Sequence, residues 1–207
     1  MKISEDISAV ILSSGFSSRM KIPKAFLLFD SNKTFIEKIM ETYLQSGISK
    51  INIVVNSGII KTIERILSKY LYDHRIQLVL NPFAERGRFN SLKLGLNNAT
   101  SSFAFLQNID NPFTSIALLK EMVTQANHAD YVVPNFQDQN GHPILISRKI
   151  VDHLQSLVGD DHILKNELNL FLKAKCSWPD ERILLNINTQ EEYQKYFWHA
   201  KYLSNTN

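Results

Sequence analysis

Short apolar runs alternate along the chain with longer stretches whose apolar positions recur every three or four residues. Residues 7–13 (ISAVILS) form an unbroken run that ends on small polar side chains, the pattern of a buried strand feeding a loop. In residues 34–47 (TFIEKIMETYLQSG), Phe35, Ile39, Met40, Tyr43 and Leu44 share one helical face. Thr34 stands in the N-cap place of that helix and Gly47 just past its end. The same reading gives strands at 51–56, 75–81, 102–109 and 130–135, with helices at 59–72, 90–98 and 115–127 between them.

Past Pro134 the rhythm changes. Gly141-His142-Pro143 leads into a short strand at 144–147 and a helix near 148–157. A further helix is expected at 161–173, a late strand at 182–186 and a last helix at 189–197, with 204–207 frayed.

Strand and helix in regular alternation predict an α/β fold, an open and mostly parallel sheet with helices on both faces. No linker or internal repeat interrupts 1–207, so one domain with a mixed-sheet C-terminal part is expected. Such sheets bind ligands beyond the carboxyl ends of their strands. The candidate loops are therefore 14–24, 56–58, 81–91 and 110–113.

Composition narrows the setting. The chain has 207 residues, 44% hydrophobic and 21% charged, which suits one sizeable core. Its one cysteine, Cys176, has no partner for an internal disulfide, so a reducing, cytoplasmic setting is expected and a filler role for the thiol. Met1–Asp6 is polar rather than basic-then-apolar, and no run is long enough to span a bilayer. The net charge of +3 is scattered rather than striped, which suits a small polyanion at least as well as nucleic acid. No His-Glu-x-x-His or Cys-x-x-Cys spacing suggests zinc.

The most informative segment is Leu12-Ser13-Ser14-Gly15-Phe16-Ser17-Ser18-Arg19-Met20-Lys21-Ile22-Pro23-Lys24. Small residues let the backbone turn tightly and aim several N–H groups at one point, an anion nest. Arg19 adds a guanidinium that can fork onto two phosphate oxygens, and Lys24 a compact point charge. The spacing is neither that of a Walker loop nor of a dinucleotide fingerprint. By physics alone, a phosphate cradle and an ordinary surface loop both fit.

The segment resembles the L-A-A-G-x-S-x-R-M-G-x-x-K signature of MobA-like nucleotidyltransferases, nearest to the molybdenum cofactor cytidylyltransferases. Leu12, Gly15, Ser17, Arg19, Met20 and Lys24 stand at its fixed positions; Ser13 and Ser14 replace the alanines and Lys21 the later glycine. Three further elements are similar in order and spacing. Asn81-Pro82 through Gly87 to Ser91-Leu92 resembles the family's base- and ribose-holding stretch, and Asp110-Asn111-Pro112 its metal-binding segment. Gly141-His142-Pro143 matches a G-H-P element, and Asn186-Ile187-Asn188-Thr189 occupies the place of D-I-D-T.

The resemblance implies a three-layer αβα, Rossmann-like sheet of the nucleotide-diphospho-sugar transferase type. Residues 1–113 would bind nucleotide and 114–200 the acceptor. It implies a magnesium-dependent transfer of a nucleoside monophosphate to a phosphorylated acceptor such as molybdopterin, with release of pyrophosphate. CTP is favoured over GTP by the Gly87–Ser91 pattern. Arg19, Lys24 and Asp110 would carry the chemistry. Leu12, Ser13, Ser14, Gly15, Ser17, Lys24, Gly87 and Ser91 would hold the nucleotide, and His142 the acceptor. Asp110 and Asn188 would hold the metal, Asn188 without the charge of the family's aspartate. At Ser91 a hydroxyl serving its own helix is the alternative, and at His142 a structural role.

The chain departs from the family at Gly159-Asp160-Asp161-His162-Ile163-Leu164-Lys165, where the G-D-x-G-A-R glycine and arginine are missing. A sugar or alcohol phosphate acceptor, or a nucleotide-binding protein with impaired catalysis, therefore stay open beside the molybdopterin reading. Neither nucleic acid nor membrane is expected as a partner, and a monomer or homodimer is.

Overall fold

The computed structural model describes residues 6–197 except 21 and 98; the expectations on residues 1–5, Lys21 and 204–207 lie outside the described residues. One sheet runs through it in the order β3-β2-β1-β4-β7-β5-β6, with β8 paired to β5. Its strands are β1 (Ile7–Ser13), β2 (Lys50–Asn56), β3 (Ile76–Asn81), β4 (Phe103–Asn108), β5 (Tyr131–Phe136), β6 (Gln139–Asn140), β7 (Ile144–Ser147) and β8 (Lys173–Ser177). The β3-β2-β1-β4 half is wholly parallel, while β7 runs antiparallel to β4 and β5.

Side-chain alternation along β1 divides the core into two layers. Ala9 and Ile11 pack with Ile51, Ile53 and Val55 of β2 under α1 (Phe35–Ser46) and α4 (Ile116–Thr124). Val10, Leu12 and Val54 point the other way, under α3 (Arg88–Leu96) and α5 (Arg148–Ser156). This is the three-layer αβα sheet that the alternating pattern predicts.

α1 begins and ends on its expected residues. Thr34 and Glu37 satisfy each other's backbone in a capping box, and Gly47 takes the left-handed conformation at φ 91°. α3 approaches the sheet closely because Gly95 has no side chain. A Cβ there would come within 2.3 Å of Val10 Cγ1 and 2.8 Å of Val54 Cγ2. Asn52 of β2 donates to the Gly95 carbonyl at 2.7 Å, which fixes the helix along its axis.

Three expected elements differ. The second helix, α2 (Ile60–Ile66), is half its expected length; the chain beyond it turns back in steps, and the Asp73 carboxylate caps the last turn through Arg75 N at 3.0 Å. The expected long helix at 161–173 is a single short one, α6 (Leu164–Leu168), followed by β8. Asp130 starts that strand pair: its carboxylate accepts from Leu172 N at 3.0 Å and its own N–H donates to Leu172 O at 2.8 Å. Only Cys176 of KAKCS is buried, so no apolar run announces the strand. Its thiol is pushed up to about 11 by burial, in keeping with a filler role.

The expected strand at 182–186 is a 3₁₀ turn, Glu181–Leu184. The Asp180 carboxylate accepts from Arg182 N at 3.0 Å, and Asn111 Nδ2 donates to the carbonyls of Ile183 and Leu185. The Ile183 carbonyl also accepts from His142 N at 3.0 Å, so neither carbonyl is left for a neighbouring strand. The last helix, α7 (Gln190–Phe197), is held to the core by stacking of Phe197 on Phe113, with centroids 5.6 Å apart, and by Tyr193 Oη donating to Leu28 O at 2.9 Å. Among the described residues no helix is long and apolar enough to cross a membrane.

Gly95→Ala should destabilise the protein by about 1–3 kcal/mol, because overpacking against two stiff valines outweighs the gain of about 1 kcal/mol in helix propensity. Urea unfolding of the two proteins measures it; an unchanged or raised midpoint would show that α3 rides freely over the sheet.

Candidate active site

Parallel strands bring their carboxyl ends to one edge, so the segments after β1, β3 and β4 meet there. The loop after β1 is held from below. Asn56 Nδ2 donates to Ser14 O at 2.9 Å, and Ser14 Oγ donates to Ser91 Oγ at 2.7 Å. Ser17 takes a positive φ of 49°, uncommon for a residue with a side chain, and closes the loop by accepting from Lys24 N at 3.2 Å and from Met20 N at 2.9 Å.

The loop walls a cavity of about 340 Å³ lined by Leu12, Ser14, Gly15, Ser17, Gly87 and Ser91 on one side and by Arg19, Lys24, Asp110 and Asn188 on another. A Cβ on Gly15 or Gly87 would meet nothing within 4 Å, so both backbones face open space where a ligand can approach closely. Gly87 has φ 97°, a conformation that favours glycine.

Two of the sequence candidates sit differently from the rest. Ser13 is buried in β1 and does not reach the cavity. The Ser91 hydroxyl is already taken: it accepts from Ser14 and from Asn81 Nδ2 at 2.9 Å, and lies 3.4 Å from Gly87 O. It braces the loop and the start of α3 rather than pointing a free hydroxyl at a ligand.

At the cavity mouth Lys24 Nζ donates to Asp110 Oδ2 at 3.1 Å and to Asn188 Oδ1 at 2.7 Å. Arg19 Nη2 approaches the same Asn188 oxygen at 3.5 Å. The second Asp110 oxygen, Oδ1, is buried and has no hydrogen-bond partner. Two oxygens converging on one cation, with a third unpartnered beside them, form a set that a hard divalent ion accepts, since magnesium needs few protein ligands and keeps water and phosphate oxygens for the rest. Asp110 and Asn188 are therefore fit to hold such an ion.

Residues that the sequence reading passed over hold this arrangement. Gln107, fully buried, donates from Nε2 to the carbonyls of Asn108 and Asn111 at 2.8 Å each, and its Oε1 accepts from Tyr43 Oη and Thr114 Oγ1. Ile187 N donates to Asp110 O at 2.8 Å, which ties the Asn188 segment to the Asp110 turn. Glu192 accepts from the backbone N–H groups of Asn188 and Thr189 while Thr189 Oγ1 accepts from Glu192 N. That reciprocal pair is written in the sequence as Thr-x-x-Glu, a capping-box signal.

His142 does not reach the first cavity. It lines a second one, of about 630 Å³, with apolar walls that include Phe89, Leu92 and Val133. Its ring lies 3.5 Å from Asn108 Nδ2 through Nε2, and its Nδ1 is buried without a partner. Burial pushes the imidazole down to about 4, helped by the Arg88 charge and opposed by Asp110. The segment 159–165 rims the same cavity, where Asp160 accepts from Asn90 Nδ2 at 3.2 Å.

Fold and site together are those of an α/β protein with a charged, glycine-walled cavity at the carboxyl ends of its parallel strands. The chain belongs to the MobA-like NTP transferase domain family, which matches residues 9–173. It is 22% identical over 205 residues to a probable molybdenum cofactor guanylyltransferase of Methanosarcina mazei, covering 94% of this chain and 91% of that protein. In fold it is similar to Rv0371c of Mycobacterium tuberculosis, with a TM-score of 0.78 and 21% identity, over 96% of this chain and 100% of that one. A manganese complex of Rv0371c matches with a TM-score of 0.72 and 19% identity, over 93% and 98% of the two chains.

A histidine whose pKa falls from 6.5 to about 4 on folding binds its proton more readily when unfolded. Its contribution to stability is complete above the unfolded pKa and is lost as pH falls through the window from 6.5 to 4. His142→Asn should therefore lose less stability than the parent over that interval, in urea titrations of metal-free protein; parallel curves would show that the imidazole is not held neutral.

Proposed function

We propose that the chain transfers a nucleoside monophosphate from an NTP to a phosphorylated small molecule, of which molybdopterin is the first candidate, with magnesium as the working ion. The observation that carries this reading is the Lys24 ammonium held between Asp110 and Asn188 at the mouth of the glycine loop. Residues 1–113 would bind the nucleotide, and the later part, together with the start of α3, the acceptor. The guanylyltransferase name of the Methanosarcina relative favours GTP, against the cytidylyl likeness of the Gly87–Ser91 stretch. GTP is therefore placed first here and CTP second.

An oxygen of the acceptor phosphate attacks the α-phosphorus in line. The bond from that phosphorus to the bridging oxygen breaks, and pyrophosphate leaves with the electron pair. An ionised phosphate is already a nucleophile, so no side chain has to remove a proton. The obstacle is concentrated negative charge, and the residues answer it by position and charge. The backbone after β1 cradles the polyphosphate. Arg19 and Lys24 set two cations against it. Magnesium on Asp110 and Asn188 would supply further neutralisation of the phosphates when bound.

The test is a pyrophosphate-release screen of four NTPs, with magnesium or manganese, against a panel of phosphorylated acceptors that includes molybdopterin. Nucleotide binding with no metal-dependent release from any pair would sink the enzymatic reading. Lys24→Ala and Asp110→Ala should each lower turnover by about 100-fold or more, the scale of losing one charge-stabilising group. Full activity in Asp110→Ala would remove the metal assignment. Asn188→Asp, which restores a charged ligand, should lower the metal concentration for half-maximal rate by roughly several-fold. A higher requirement would place Asn188 outside the metal's reach.

A further inference from the structure

Among the described residues, Arg88 is the only one that lines both cavities. It is the first residue of α3, directly after Gly87, so its guanidinium projects from the point where the two walls meet. Nη2 donates to Asn108 Oδ1 at 2.7 Å, and Asn108 Nδ2 in turn faces His142 Nε2 at 3.5 Å. Arg88, Asn108 and His142 thus form the partition between the two cavities. Among the described residues no carboxylate lies within ion-pair distance of Arg88. The other arginine donors are left for a ligand.

The two cavities differ in chemistry. The first is walled by the glycine loop, Arg19 and Lys24, which suit a polyphosphate. The second presents Phe89, Leu92, Tyr131, Val133, Ile144 and Leu168, which suit a bulky body of low polarity. A molecule seated there with a phosphate on one end can present that charge to the first cavity only at the partition, where Arg88 lies. Lys165 and Lys173 also line this cavity, but neither lines the first.

We propose that Arg88 grips the phosphate of the acceptor, a phosphomonoester on a bulky apolar or aromatic body, and holds it at the partition facing the nucleotide's α-phosphorus. The inference rests on the nucleotidyl-transfer reading and adds to it the acceptor's binding residue and chemical class. A guanidinium suits the task. It can fork onto two phosphate oxygens and leave the third to attack, and it gives up no proton to the dianion. Asn108 holds the fork in place before the acceptor arrives.

Calorimetry on the full chain tests this with naphthyl phosphate as probe, naphthol as the body without the charge, and GTP with magnesium as the nucleotide. Arg88→Gln should weaken naphthyl phosphate by about tenfold or more, the loss of a charged hydrogen-bonding group, and leave naphthol and GTP within about threefold. Arg88→Lys should fall between the two. Once an acceptor is turned over, Arg88→Gln should raise its KM far more than that of the nucleotide. Equal naphthyl phosphate binding in parent and Arg88→Gln overturns the inference, as does a parent with no preference for naphthyl phosphate over naphthol. A GTP loss as large as the naphthyl phosphate loss also overturns it, placing Arg88 on the nucleotide instead. A parent that binds naphthyl phosphate through Arg88 but no NTP supports the grip and defeats the nucleotidyl reading.

Discussion

The site is organised by one ammonium group. Lys24 reaches Asp110 across 86 residues of sequence and Asn188 across 164, and it draws the ends of three segments to within hydrogen-bond distance. Its side chain and that of Asp110 are only 12% and 24% exposed, so the pair is poorly hydrated and removal of either partner leaves the other uncompensated. A ligand rich in phosphate oxygens offers the ammonium new acceptors, and a divalent ion offers the carboxylate a new partner. The contact that joins the three segments is thus also one that substrates can replace without leaving a bare charge behind.

Sheet topology is what makes that contact possible. The strands after β1 go to opposite sides of it, β2 on one and β4 on the other, and a crevice opens where the order switches. The cradle follows β1 and Asp110 follows β4, so both fall on the crevice. β7 is antiparallel to β4, and the start of β7 therefore lies at the same edge as the end of β4. That reversal delivers Gly141-His142 to the second cavity, beside the crevice, from a part of the chain that a purely parallel sheet would have sent to the far edge.

The parallel half was readable in the sequence because β1, β2 and β4 are buried on both faces and write themselves as largely apolar runs, while β3, half-exposed at the edge, still keeps Ile76, Leu78, Val79 and Leu80. In the mixed half β5 and β7 stand at the expected 130–135 and 144–147, but β6 and β8 were not readable. β8 exposes all but one or two of its residues, and β6 is two residues long, so neither leaves a pattern. The run at 182–186 looks like a strand, yet Asp180 turns its start locally and Asn111 takes its carbonyls from a distance that no local pattern records. The same division holds at the site. The loop after β1, Asp110 and Asn188 could be placed by motif, and the structure brings them together. Ser13 faces the core, and the Ser91 hydroxyl is spent on Ser14 and Asn81. Arg88 carries no motif of its own; its position is visible only once α3 is packed between two cavities.

Charge economy explains why the histidine beside Arg88 is kept neutral. Arg19, Lys24 and Arg88 already stand around the crevice, balanced chiefly by Asp110. A fourth cation at His142 would lie against Arg88 in a poorly hydrated partition, and both burial and that charge hold its proton off. A neutral imidazole with an unpartnered Nδ1 can still give or take a hydrogen bond, according to its tautomer. It can therefore orient a polar group on an incoming molecule without adding to the charge that Arg88 directs at a phosphate. The partition thus separates two tasks, attraction by the guanidinium and orientation by the imidazole, through the single amide of Asn108 that touches both.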